Sequence, residues 1–203
     1  YEICSGLVGS EMCIRDRRND SEAFRNYQLK FYDKIFFPYL KEHNIKTLIH
    51  LGDVVDRRKF INFQTASLFR KHFFDVLWKE KIDTHIIIGN HDTYFKNTNE
   101  VNAIENLYTS FDGVNEPFIY TKSKVVEIDG LPILFVPWIC DDNREHSMQM
   151  LNTAKAEIVM GHLEIKGIEM QNGVINEHGN SKSDFSRFER VISCLLYTSP
   201  SPR

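Results

Sequence analysis

The chain has 203 residues, of which 42% are hydrophobic and 26% charged, with a formal net charge of −3. That is enough for one domain with a substantial core, and it gives no overall basic field for nucleic acid, although a local basic stripe suffices for such binding. No apolar run is long enough to cross a bilayer and no secretion signal is expected; of four cysteines only Cys140 lies away from the ends, so a disulfide framework is not expected and a reducing compartment, the cytoplasm, fits better.

In chain order, residues 1–17 show neither helical nor strand period, and Cys194 to Arg203 are equally unlike the sequence before them. Both strings resemble translated sequencing-library adapter. The expectation is therefore two non-native segments, 1–17 and 194–203, around a domain over 18–193. Asn19-Asp20-Ser21 is a helix-start cluster. Phe24, Tyr27, Phe31 and Ile35 follow at helical spacing, with Tyr32, Phe36 and Leu40 widening the apolar face. Pro38 is expected to kink or split that helix. Residues 46–51 read as a strand. Asn62 can cap a second helix whose Ala66, Phe69, Phe73, Val76 and Leu77 face inward. The run His85-Ile86-Ile87-Ile88 is β-branched and short, as a buried parallel strand should be. A polar stretch, Thr93 to Asn99, precedes a helix expected from about Glu100 to Tyr108. Val125 to Ile128 and Leu131 to Val136 form a β-hairpin on Asp129-Gly130, ended by Pro137-Trp138. A helix over 143–154, a strand over 156–160 and a second hairpin around Asn172-Gly173 complete the chain. Alternating strands and helices followed by a hairpin give an α/β sandwich.

Three of these strands end in glycine plus a metal-capable side chain: Gly52-Asp53-Val54-Val55-Asp56, Gly89-Asn90-His91-Asp92 and Gly161-His162. Strand ends of an α/β sheet are where ligands bind. Hydrolysing a phosphate ester near neutral pH needs a strong nucleophile and neutralisation of developing negative charge; two divalent metals about 3.5–4 Å apart supply both. Asp53 is the natural bridging carboxylate, and Asn90 and His162 would complete one metal's protein ligands. His91 would face the phosphate and protonate the leaving oxygen. Asp56 could orient His91, and Asp92 could hold a neighbouring group by hydrogen bond. Plainer readings stand beside these. Asp53 could cap a helix, and Asn90-His91-Asp92 could be a turn. Arg57, Arg58, Lys59 and Lys96 could hold phosphates or form a solvated face. His178 could line the site. Tyr94 and Phe95 could stack on an unpaired base. His50 and His85 read as core histidines, Trp138 as core, and His43, His72 and His146 as helix-surface or helix-end residues.

Gly-Asp-x-x-Asp, Gly-Asn-His-Asp and Gly-His, in this order and each after a strand, resemble the calcineurin-like metallophosphoesterase superfamily. The stretch Phe135 to Asn143, the Gly161-His162-Leu163-Glu164 context, and His178-Gly179 through Asp184-Phe185 resemble the phage recombination nucleases of the SbcD type. The resemblance covers about residues 19–193. It implies an α/β fold, the four-layer αββα metallophosphoesterase sandwich, here truncated at both ends. It also implies two divalent ions, most simply Mn2+, and exonuclease or endonuclease action on DNA in recombination and repair. The implied partner is an SMC-like ATPase with a long coiled coil, and dimers through the first helices are common in such families. This chain has no Gly-x-x-x-x-Gly-Lys-Ser/Thr loop, so ATP hydrolysis would come from that partner. Two motifs of the superfamily are missing: Asp16-Arg17-Arg18 stands where Asp-x-His is expected, and Cys194-Leu195-Leu196 where Gly-His-x-His is. Weak metal binding and little turnover are expected of such a chain. A phosphomonoesterase of the same fold and a non-catalytic scaffold are the alternative readings.

Overall fold

The structure is a computed structural model and describes residues 22–55, 57–107, 117–171 and 174–193. The readings made for 1–17, 194–203, Asp56 and the Asn172-Gly173 turn lie outside the described residues.

The elements in order are α1 (Glu22–Phe31), α2 (Phe37–Glu42), β1 (Thr47–His50), α3 (Phe63–Phe69), α4 (Asp75–Lys79), β2 (Asp83–Ile87), α5 (Ala103–Leu107) and β3 (Phe118–Tyr120). Then come β4 (Lys124–Ile128), β5 (Leu131–Val136), α6 (Arg144–Thr153), β6 (Ile158–Gly161), β7 (Glu169–Gln171), β8 (Val174–Ile175) and β9 (Arg190–Ser193). One sheet is parallel, in the order β1-β2-β3. The other runs β4-β5-β6-β9: an antiparallel hairpin, then two parallel pairings. Asp129 and Gly130, at φ 52° and 78°, turn that hairpin, as Asp-Gly does when both central residues need positive φ.

Alternation along each strand builds four layers. Leu48, Ile86 and Ile88 point outward under α1 to α4, whereas Ile49 and Ile87 point inward at the second sheet. From the other side Ile133, Phe135, Ile158 and Met160 meet them. Leu134, Val136 and Val159 pack outward under α6 and the 3-10 turn Lys182–Phe185. Helix, sheet, sheet, helix is the αββα sandwich, and burial on both faces is why these strands read as unbroken apolar runs.

Pro38 does not split the first helix. A π-turn, Tyr32–Phe36, precedes it, and the Phe37 N–H reaches back to the Tyr32 carbonyl. The widened turn puts Pro38 in the first turn of the next helical segment, where a missing N–H costs little. A second π-turn, Arg70–Phe74, lies against the first, and the Tyr32 and Phe73 rings sit 5.3 Å apart between them. Asn62 caps α3 by accepting from Gln64 N at 2.9 Å and Thr65 N at 3.4 Å. The helix expected over 100–108 starts later, at Ala103, because Asn102 lies in a bridge with Thr93 and only then caps α5; Tyr108 lies outside the described residues. The three-residue strand β3 was too short to announce itself by period. Among the described residues no helix is long and apolar enough to cross a membrane.

Candidate active site

β1, β2 and β6 are parallel within their sheets, so their C-terminal ends deliver Gly52-Asp53, Gly89-Asn90 and Gly161-His162 to one edge of the sandwich. Two of the glycines make the approach possible. A Cβ on Gly89 would stand 2.3 Å from both Asp53 N and Asp53 Oδ1. A Cβ on Gly52, at φ +94°, would stand 2.7 Å from Gly89 N and 2.8 Å from His162 Nδ1. Asp53 itself is left-handed at φ 56°, a strain of about 1–2 kcal/mol for a non-glycine residue. It is held there by bonds at both ends. Its N–H donates to Asp92 Oδ2 at 2.9 Å, and its Oδ1 accepts from His91 N at 2.9 Å.

Asp92 is the clamp between the two loops. It is 1% exposed. It accepts from Gly89 N and Asp53 N at 2.9 Å each and from Val55 N at 3.1 Å. Burial and the neighbouring Asp53 carboxylate push Asp92 up to about 7, against the pull of its three N–H donors.

His162 is fully buried. Its Nδ1 lies 3.0 Å from the Leu51 carbonyl, which can only accept, so the proton is on Nδ1 and Nε2 carries a lone pair. That lone pair lies 3.4 Å from Asp53 Oδ2 and 2.9 Å from Asn90 Oδ1. In this arrangement a carboxylate, an amide oxygen and an imidazole nitrogen, all acceptors, face one point. Turned over, the Asn90 amide donates to His162 Nε2 at 2.9 Å and to the Asp53 oxygens at 3.2 and 3.3 Å. The cluster therefore has two ways to be satisfied: an amide N–H, or a cation with Asn90 Oδ1 inward. The donor set fits a divalent cation, and the imidazole's second nitrogen held by a backbone carbonyl is the usual support for a ligating histidine. Among the described residues no three His, Cys, Asp or Glu side chains converge; the third donor here is an amide. His91 is half-buried beside the cluster, tied to Asp53 through its backbone.

The run Arg57-Arg58-Lys59 divides by direction. Arg57 and Lys59 are exposed. Arg58 turns inward, its guanidinium over the Trp138 ring at 4.6 Å and its Nη1 donating to Thr93 Oγ1 at 2.7 Å and the Phe95 carbonyl at 3.1 Å. The Thr93 hydroxyl lies 3.2 Å from the Asn90 carbonyl and 2.9 Å from that of Phe95. Arg58 thus braces the Asn90 loop. Burial lowers its pKa, and the Asp53 and Glu164 carboxylates oppose that. Trp138 closes the bracket, donating from Nε1 to Glu164 Oε1 at 3.2 Å and from its backbone N to the Ile88 carbonyl at 2.8 Å. Trp138 and Glu164 were not singled out as site residues from sequence. Their signal was position: each follows a strand that ends at this edge.

Lys96 is exposed on the Asn90 loop. His178 is exposed on a turn docked by Gly179, whose Cβ would meet the Glu164 carbonyl at 2.2 Å. Among the described residues no hydrogen bond or ion pair joins the His178 ring to the Asp53 cluster. His50 and His85 are core histidines. His85 Nδ1 pairs with Tyr120 Oη at 2.8 Å. His50 accepts from Gly52 N at 3.2 Å, and burial holds its pKa down to about 4. His43 is exposed at a helix end; His72 pairs with Asp33, and His146 reaches the Ser123 carbonyl.

Comparison with known proteins gives the family. The family model for calcineurin-like phosphoesterases matches residues 22–190. A curated relative, exonuclease subunit 1 of Enterobacteria phage T4, is 30% identical over 179 residues, covering 88% of this chain and 51% of the relative. The chain thus spans about half the length of the curated relative it matches. Among solved structures, a protein of unknown function from Aquifex aeolicus matches at 17% identity, over 86% of this chain and 83% of that one, with a TM-score of 0.39.

Proposed function

The chain belongs to the calcineurin-like phosphoesterase family, and on that premise we propose that it is the phosphodiesterase part of a DNA nuclease subunit. The observation that carries this reading is the convergence of the Asp53 carboxylate, the Asn90 amide and the His162 Nε2 lone pair on one point beside His91, an arrangement that becomes a three-acceptor cation site when Asn90 Oδ1 turns inward. Divalent cations held there, Mn2+ in this reading, would supply Lewis acidity, acidifying water and neutralising phosphate charge. The remaining work belongs to the chain. Asp53, Asn90 and His162 hold the cation, with His162 kept in the ligating tautomer by Leu51. His91 is positioned through its backbone bond to Asp53 and protonates the leaving oxygen, with Asp56 orienting it. Arg57 and Lys96, exposed at the rim, receive flanking phosphates, and His178 lies at the outer edge. Arg58 acts through the loop it braces.

The likeness to a phage exonuclease subunit supports a nucleic-acid substrate, DNA in this reading, and a partner protein. For that partner we take a coiled-coil ATPase of the SMC type, in a recombination or repair complex, with a homodimer of this chain as the second assembly proposed and the host cytoplasm as the place of action. The test is a pair of model substrates with Mn2+. Hydrolysis of bis(p-nitrophenyl) phosphate, slow but faster than that of p-nitrophenyl phosphate and lost in Asp53→Asn, is expected. Cleavage of the monoester alone would favour a phosphatase. Absence of Mn2+ binding in a variant given the family's Asp-x-His and Gly-His-x-His motifs would favour the scaffold.

A further inference from the structure

Beside the Asp53 cluster lies a slot of about 230 Å3 whose walls include Arg57, Lys59, Phe60, Tyr94, Val101 and Leu107. We propose that this slot receives one unpaired nucleobase of a single-stranded nucleic acid whose backbone crosses the site. The proposal rests on the nuclease reading and adds to it the strandedness of the substrate.

Four observations carry it. The first is size. Drug-sized ligands occupy about 300–1,000 Å3; a slot below that range takes a single flat ring system. The second is the chemistry of the walls. Phe60 and Tyr94 are 59% and 42% exposed, although each is a large ring a monomer gains by burying. Each carries a cation: Arg57 stands 5.9 Å from the Phe60 centroid, and Lys59 Nζ stands 4.7 Å from that of Tyr94. An aromatic face paired with a mobile cation is what a nucleotide needs, the ring for its base and the cation for its phosphate. Val101 and Leu107 add an apolar floor without charge.

The third is continuity with the site. The buried part of the lining includes Val55 and Asp92, whose backbone N and carboxylate are bonded at 3.1 Å. They lie two residues beyond Asp53 and Asn90 on the two loops that hold the cluster. A base seated there belongs to a nucleotide next to the reacting phosphate. The fourth is the division of the basic run. Arg58 also lines the slot but is committed to Trp138, Thr93 and Phe95, which leaves Arg57 and Lys59 as the exposed cations of its wall. The wall amides are mostly spent internally: Asn102 donates to the Asn99 carbonyl and to Glu105 and accepts from Glu105 N. Recognition is therefore by stacking and tolerant of base identity. A base paired in a duplex has its faces covered and cannot enter, so the substrate is a single strand or a frayed end.

The experiment is a titration of the full chain, in Mg2+, with a fluorescein-labelled twelve-residue strand carrying one 2-aminopurine, read by anisotropy and by 2-aminopurine emission. The same strand with an abasic site in that place and the corresponding duplex are the comparisons. Quenched 2-aminopurine emission is expected, with about 5- to 100-fold weaker binding for the abasic strand, for Tyr94→Ala and for Val101→Trp, which fills the slot. Tyr27→Ala, an exposed ring on α1, serves as the unaffected control. Equal binding of the base-bearing and abasic strands, tighter binding of the duplex, or wild-type affinity in both slot variants would overturn the proposal. Mn2+ titration of the same samples separates the two readings. Mn2+ binding that needs Asp53, with no base dependence, leaves the nuclease reading standing without the slot. Base dependence without Mn2+ binding leaves the slot without the nuclease.

Discussion

The outer helical layer and the loop edge of the same sheet are held together in opposite ways. Under α1 to α4, Tyr32, Phe36, Phe69, Phe73 and Phe74 fill space with rings, none more than 6% exposed. Packing of that kind is strong in sum and forgiving in detail. At the loop edge the close approach comes from missing side chains, at Gly52 and Gly89, and the bonds are polar and directed, through Asp92, His162 and Arg58. The helical layer supplies stability; the edge spends some of it on a left-handed Asp53 and on a buried polar cluster at Asp53, Asn90 and His162. A change at the edge should therefore act on ligand binding first, and one under the helices on stability first.

The sharpest way to break that division is Gly89→Ala. Its methyl group meets Asp53 backbone and carboxylate, so the two loops must part. Mn2+ binding by calorimetry should fall at least 100-fold; retained affinity would mean that the loops are not held this closely. Next is Phe73→Ala, under the helices. It should cost about 3–5 kcal/mol in denaturant unfolding and leave Mn2+ affinity within about twofold. A large loss of affinity in a still-folded Phe73→Ala protein would erase the distinction.

His50 gives an intermediate test, because it is a core residue that titrates. Its folded pKa of about 4 lies below the ordinary 6.5. The unfolded chain thus takes up a proton that the folded one refuses between those values. Stability from the neutral ring is fully present above about 6.5 and is lost as pH falls toward 4, on the order of 3 kcal/mol. Asp92, raised to about 7, titrates with the opposite sign across this window, so the His50 contribution is read as the stability of the wild type minus that of His50→Gln. That difference should fall by on the order of 3 kcal/mol between about pH 6.5 and 4, and a difference constant with pH would place the titration elsewhere. The smallest effect is expected of Arg58→Ala, about 1–2 kcal/mol of stability and a few-fold loss of Mn2+ affinity through the Asn90 loop. Arg58→Lys should not restore it, because an ammonium cannot cover Trp138 and reach Thr93 together. Full rescue by lysine would show that only the charge matters.

Much of this could be read from the residues. The strands ending at Asp53, Asn90 and His162 were legible because apolar runs and Gly-plus-ligand endings are local signals. The Asp129-Gly130 hairpin was legible for the same reason. What was not legible depends on distant partners. The π-turn that accommodates Pro38 forms against the one at Arg70–Phe74. The inward turn of Arg58 is decided by Trp138, eighty residues away in sequence. Sequence alone grouped Arg57 and Arg58 as equal phosphate contacts, whereas the fold sends one to the rim and the other to a bracket.

The most direct test of the central claim is pulsed electron paramagnetic resonance of Mn2+ bound to the 15N-histidine-labelled chain. The account expects a directly coordinated imidazole nitrogen that disappears in His162→Gln and persists in His178→Gln. A coupling that survives His162→Gln, or none in the wild-type chain with Mn2+ bound, would contradict it.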